Sequence, residues 1–471
     1  MTVVAVLAGF AASATPLRAQ EAVQGLARDI FRELIEIDTT DDAGSTTKAA
    51  EAMAARLRAA GFPASDVEVL TPEPRHGNLV ARLRGTGVRR PLLLLAHLDV
   101  VAARRGDWTV DPFRFVEKDG YYSGRAPTDI KDGAALRVAN MIRLEREGYR
   151  PDRDLILALT AGEEGGDWDG VSWLVKNRRD LVDAVYCVNT DGGDFQLKDG
   201  KRRLVAVQAS EKLSVHFLLE TGDAGGHSSL PRRDNPIYRL SAALSRLAAY
   251  EFPAELSDVT RAFFERSASL EAGPLAADLK AVARTPADPQ ALARLSQSPY
   301  HNALLRTTCV ATRLEAGHAD NALPQTARAT VNCRLLPGHG PEEVGATLRE
   351  IVADDRISVT TKNPSPAAPR SALEPELMAA VENVAGAVWP GVAVVPTLET
   401  GGTDGFYLRP ARIPTFGVSG VFIDIDDVRA HGKDERVLVS SFHEGVAFYY
   451  RLIKALSSPS PHEQPGTAMN R

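Results

Sequence analysis

The stretch Pro91-Leu92-Leu93-Leu94-Leu95-Ala96-His97-Leu98-Asp99-Val100-Val101 decides how the rest of the chain reads. Its unbroken apolar run predicts a strand buried on both faces, the kind found in parallel sheets. A histidine and an aspartate then follow two apart, His97 and Asp99. Removing ionisable groups from water is costly unless they find partners, so the end of this strand calls for some.

Further apolar strands are expected at Asn78–Leu83, Leu155–Thr160 and Ala184–Val188. Helical spacing lies between them, at Val23–Ile37, Thr46–Ala60 and Ala134–Glu147. The last of these carries Leu136, Ala139, Ile142 and Leu144 on one face and stops at Gly148. Helices alternating with continuous apolar strands predict an α/β domain, a mostly parallel mixed sheet flanked by helices. At about Ala209 the texture changes. Lys212–Leu219 and Ala327–Leu335 alternate as half-exposed strands do, and Asn235-Pro236 opens a helix reaching Ala249. With a helix at Pro341–Ala353, this predicts a smaller α+β domain interrupting the first, carrying inserted short helices over about 253–300. The α/β texture resumes near Ser371, with a helix around Leu377–Val388. The expected organisation is a signal peptide over 1–20, the α/β domain in two parts over 21–209 and 364–456, the smaller domain over 210–363, and a disordered Ser/Pro-rich tail over 457–471.

Bulk properties narrow the function. The 471 residues suffice for roughly two or three domains. A net charge of -6 gives no basic footprint for nucleic acid, and that class is set aside. Cys187, Cys309 and Cys333 lie far apart with no CxxC pair, and read as scattered buried thiols rather than a disulfide framework. Val3–Ala14 is apolar and is followed by Thr15-Pro16-Leu17-Arg18-Ala19-Gln20, resembling a signal peptide cut near Ala19 or Gln20. The expectation is a periplasmic or secreted protein with no membrane attachment after processing. The alternative is a cytoplasmic one, since no Lys or Arg precedes the apolar run.

Polar residues recur where the strands end. His97 and Asp99 follow one strand, Glu163 and Glu164 another, and Asp191 a third. Asp129 stands just before a helix, and His431 comes from the last part of the chain. Ligands of open α/β sheets bind at the carboxyl ends of the strands, where these groups could converge. Histidines and carboxylates without thiolate form a set suited to zinc, manganese or cobalt. A carboxylate-rich set is also what two metals with a shared ligand need. Singly, each residue has another reading: His97 or His431 as a core or surface histidine, Asp129 and Asp132 as a loop pair and cap, Glu163-Glu164 as a solvated turn.

The full ordered set resembles the M20 co-catalytic metallopeptidases and amidohydrolases, a family that includes glutamate carboxypeptidase, succinyl-diaminopimelate desuccinylase, acetylornithine deacetylase and aminoacylase-1. The resemblance spans about residues 25–455. It rests on His97-x-Asp99, Asp129, Glu163-Glu164, Gly226-His227-Ser228-Ser229, Asn321-Ala322-x-Pro324, Arg334, Gly401-Gly402-Thr403-Asp404 and His431-Gly432. It implies two zinc ions, replaceable by cobalt or manganese, with Asp129 bridging them. His97 and Asp191 would complete one site, Glu164 and His431 the other. Asp99 would orient the His97 ring and Glu163 would be the general base. The interrupting domain would be a ferredoxin-like lid and dimerisation domain. In it His227 would stabilise the oxyanion, Arg334 would grip a substrate carboxylate, Asn321 would contact the substrate, and Gly402 and Thr403 would line the pocket. One departure is Gly124-Arg125-Ala126-Pro127, where the family commonly reads Gly-Arg-Gly.

The function implied is hydrolysis of an amide or peptide bond next to a free C-terminal carboxylate, by a carboxypeptidase or dipeptidase. The alternative is an N-acyl-amino-acid amidohydrolase, and a non-catalytic peptide-binding homologue is more remote because a pure binder needs no general base. A serine hydrolase lacks support, since the chain has no GxSxG.

Overall fold

The computed structural model describes residues 15–166, 168–362, 369 and 372–458, so most of the expected leader and nearly all of the expected tail lie outside the described residues. The chain divides into two compact units. The first comprises the residues up to Arg202, with Ala380–Pro390 and the residues from Ser419; the second comprises Arg203–Ala379 and Gly391–Val418.

In the first unit, Leu92–His97 lies between Leu155–Thr160 and Cys187–Asn189, parallel to both. Every residue of Leu92–His97 and Leu155–Thr160 is buried. Each leucine so placed contributes about 1.5–3 kcal/mol. Asn78–Leu83 and Val67–Leu70 extend the sheet antiparallel, making it mixed. Helix Lys131–Arg146 packs against Leu92–His97 and against helices Thr15–Glu36 and Val439–Ser457. The helix expected from Val23 starts earlier, at Thr15, so Ala19 lies within it.

The second unit holds a four-stranded antiparallel sheet in the spatial order Thr308–Ala316, Thr326–Leu335, Leu213–Gly222, Ser358–Thr361. With helices Pro236–Ala249 and Pro341–Val352 between strands in the chain, this is the ferredoxin-like arrangement. Leu213, Val215, Phe217 and Leu219 point to the helices and meet Leu240, Ala243, Leu247, Val344 and Leu348 in one core. The Asn235 side chain caps its helix by accepting from the Tyr238 amide at 3.2 Å, and Pro236 takes the first helical position. Helices between Asp258 and Leu305 form the inserted segment and bury Phe264, Leu279, Val282 and Leu295 with Leu204, Ala206, Val395 and Leu398.

The cysteines correct an expectation. Cys309 and Cys333 form a disulfide, because antiparallel register sets them directly opposite with Cα atoms 4.1 Å apart. Chain spacing concealed that juxtaposition, while Cys187 is a buried thiol as expected. Among the described residues no helix is long and apolar enough to cross a membrane.

Candidate metal centre and active site

Strand register assembles the site within the first unit. His97 pairs with Thr160, three residues before Glu163, and Leu95 pairs with Asn189, two before Asp191. The three parallel strands therefore end together, and the chain leaves each through a ligand-type residue. Asp129 enters from the loop ahead of helix Lys131–Arg146. That helix packs closely on the turn carrying Asp191: a Cβ on Gly133 would lie 2.3 Å from the Thr190 hydroxyl. His431 enters from the loop between strands Phe422–Asp424 and Arg436–Leu438.

The geometry is that of a shared carboxylate. Asp129 places Oδ1 at 3.3 Å from His97 Nε2 and Oδ2 at 3.0 Å from His431 Nε2. His431 Nε2 also lies 3.0 Å from Glu164 Oε2. Ligand atoms of His97, Asp129 and Glu164 fall within 4.8 Å of one another, as do those of His97, Glu163 and Asp191. His97 tests whether this set fits a metal. Its Nδ1 lies 3.0 Å from the Asp99 carbonyl oxygen, which fixes the proton on that nitrogen in the neutral ring. The buried Nε2 makes no hydrogen bond and turns its lone pair toward the Asp129 carboxylate. With the ring neutral, two acceptors face each other, and a cation between them, a proton or a metal ion, resolves the conflict. The residues fit.

The charges point the same way. Burial, reinforced by Glu164, Asp99 and Asp129 and opposed by His97, pushes Glu163 up to about 8. Burial, then the Asp129 charge, takes Glu164 up to about 7. Burial alone would raise Asp129, yet the hydrogen bond from His431 leads the influences that outweigh it and hold the carboxyl well below the usual carboxylate range. The hydrogen bond to Asp129 takes His431 up to about 9. So many carboxylates in one buried space favour bound positive charge.

Asp99 meets the His97 ring chiefly through its backbone. Its backbone carbonyl, not its carboxylate, takes the His97 Nδ1 proton, since the nearer carboxylate oxygen is 3.8 Å away. The carboxylate instead accepts the Glu164 amide at 2.8 Å. Asp99 thus supports His97 through its backbone and the Glu163-Glu164 turn through its side chain.

The remaining site residues from the sequence lie in the second unit. His227 and Asn321 are neighbours there: Gly226-His227 pairs with Ala322-Leu323, and Ser228 N donates to Asn321 O at 3.0 Å. Both side chains are exposed. Arg334 is half-buried in strand Thr326–Leu335, and burial lowers the pKa of its guanidinium. No carboxylate of the described residues pairs with it. Thr403 is buried and its hydroxyl donates to Glu211 at 2.7 Å, so it anchors its loop instead of offering a side-chain contact. Gly402 is the exposed residue of that loop.

Sequence reading missed two buried ion pairs. Arg125–Glu435 joins the loop before Asp129 to the loop carrying His431, and Arg409–Glu211 holds the Thr403 loop. The signal for Glu435 was faint: an acid four residues after His431, entering a strand.

The fold and this constellation define a metallopeptidase-type hydrolase. Residues 93–455 match the model of peptidase family M20/M25/M40, and the chain belongs to that family. It is 30% identical over 380 residues to the N-fatty-acyl-amino acid synthase/hydrolase PM20D1 of Homo sapiens, covering 78% of this chain and 74% of that protein. It is 28% identical to the probable carboxypeptidase S-like 2 of Dictyostelium discoideum, covering 78% and 71% respectively. In structure it resembles the M20 family metallo-carboxypeptidase Sso-CP2 from Sulfolobus solfataricus, with a TM-score of 0.69 at 16% identity over 91% of this chain and 99% of that one.

Proposed function

We propose that this protein hydrolyses N-acyl amino acids, cleaving the amide next to a free α-carboxylate with two zinc ions bound. The observation that carries the reading is Asp129 set between His97 and His431 with Glu163 and Glu164 beside it. Asp129 would bridge, with His97 and Asp191 on one side and Glu164 and His431 on the other. Such ions, when bound, activate a water and polarise the scissile carbonyl. Glu163 would take a proton from the attacking water as its oxygen bonds to the carbonyl carbon, and would pass it to the amide nitrogen as the C–N bond breaks. Burial suits it to this task by making its carboxylate more basic. In the second unit, His227 and Asn321 would be substrate contacts, and the unpaired Arg334 guanidinium suits a carboxylate as a two-pronged donor. The similarity to PM20D1 favours an acyl amide over a peptide. A carboxypeptidase or dipeptidase is the second reading, favoured by the carboxypeptidase S-like relative.

The same reading includes export and a dimer. The Cys309–Cys333 disulfide suits an oxidising compartment, in keeping with the apolar leader. Strand Thr308–Ala316 is a sheet edge with Val310 60% and Leu314 62% exposed, which supports pairing with a second copy through this unit.

The test is a panel of N-acyl amino acids of graded acyl length, dipeptides and longer peptides, each with its carboxylate free or amidated, given to zinc-loaded protein. Cleavage of the N-acyl compounds first, lost on amidation, is the expected result. Preference for peptides would establish the second reading, and no turnover by protein that binds two ions would overturn both.

A further inference from the structure

We infer that Arg125 and Glu435 form a buried clamp that sets the distance between Asp129 and His431 and so determines how tightly the His431 side of the centre binds metal. The inference rests on the metal reading above and concerns positioning residues, not ligands. His431 has a side chain 55% exposed, so little packing holds its ring, and its position must come from its loop. Glu435, four residues on, is only 2% exposed.

The Glu435 carboxylate is shared between two groups of the Asp129 loop. One oxygen pairs with the Arg125 guanidinium and the other accepts the Ala126 amide. Backbone pairing runs alongside: Gly124 N donates to Glu435 O at 3.3 Å, and Arg436 is registered opposite Ser123. Arg125 is held from two further directions. It donates to the Ala102 carbonyl at 3.2 Å, on the segment leaving Asp99, and its guanidinium stacks over the Trp108 ring at 4.7 Å. The Ala126 carbonyl then accepts the Lys131 amide at 3.1 Å, closing the turn that presents Asp129. On the other side, Asp434 accepts the Thr109 amide and hydroxyl, each at 2.9 Å. Three loops, after Asp99, before Asp129 and after His431, therefore meet on one buried pair.

The consequence is asymmetric. His97 lies in a strand of the central sheet and Asp191 two residues beyond another, and neither strand contains a residue of the clamp. The loop carrying His431 does. Outer partners of metal ligands typically contribute about 10–100-fold in metal affinity. Asp129 would serve both sites, so loss of the clamp should weaken the His431 side most and the other side less.

The experiment is zinc titration by calorimetry of chelator-stripped full-length protein, with thermal unfolding followed in parallel. Two variants are compared with the wild type. Glu435→Gln removes the charge and keeps an acceptor for Ala126; Arg125→Met with Glu435→Gln removes both charges, so that neither is left buried alone. The expected result is a two-site isotherm in which one site weakens by about 10–100-fold and the other by at least several-fold less. If the single variant does not fold, the double variant carries the test. Two unchanged sites, or two sites weakened equally, would overturn the clamp. A wild type that binds no zinc would instead overturn the metal reading itself.

Discussion

The two units of this protein present their polar residues in opposite ways. In the first, His97, Asp99, Asp129, Glu163 and Glu164 crowd together at strand ends, and burial moves both glutamates far from ordinary behaviour. In the second, His227 and Asn321 are exposed and Arg334 is half-buried without a carboxylate partner. A buried cluster of like charges must take up protons or be joined by a metal ion, whereas exposed or half-buried groups can wait for a substrate. On the proposed reading, the first unit carries the reacting groups and the second carries groups suited to a substrate.

That division can be broken by substitution. The largest effect is expected from Glu163→Gln, which removes the proposed base: kcat should fall by about 10²–10⁴-fold while the protein still binds zinc. A comparable loss of metal binding would make Glu163 a ligand instead. In the second unit the disulfide closes a separation of 24 residues. Cys309→Ser with Cys333→Ser should lower its stability by about 3 kcal/mol, read by denaturant unfolding, and leave zinc affinity unchanged. A change in zinc affinity would show that the units are not separable in this way. The smallest effect concerns Ala126, whose φ of 58° lies in the left-handed region. Ala126→Gly should raise stability by about 1 kcal/mol, since only the Cβ makes that conformation unfavourable.

Much of the first unit was legible because burial leaves a plain mark on sequence. An unbroken run such as Leu92–Ala96 can hardly be anything but an interior element, and its polar exit at His97 and Asp99 stands out against it. Family order then supplied roles that spacing could not. The alternating strand Leu213–Gly222 and the Asn235-Pro236 helix start were readable for similar local reasons. What escaped was set by register and by long-range contact. Cys309 met Cys333 only because two strands paired in one particular alignment. Thr403 stood in a motif, and its anchoring role needed Glu211, a residue from a distant strand. The Asp99 carboxylate turned to the Glu164 amide because the end of a neighbouring strand brought that turn alongside. Glu435 and Arg125, 310 residues apart, meet only because the fold encloses them together.

The central claim is that the cluster around Asp129 holds two metal ions that the chemistry requires. The most direct measurement is to strip the protein with a chelator, titrate zinc back, and follow ions bound per chain together with hydrolysis of an N-acyl amino acid. The account predicts two ions per chain, with activity returning as they bind and no return in Asp129→Ala. Full activity in the stripped protein, or zinc bound equally well by Asp129→Ala, would contradict it.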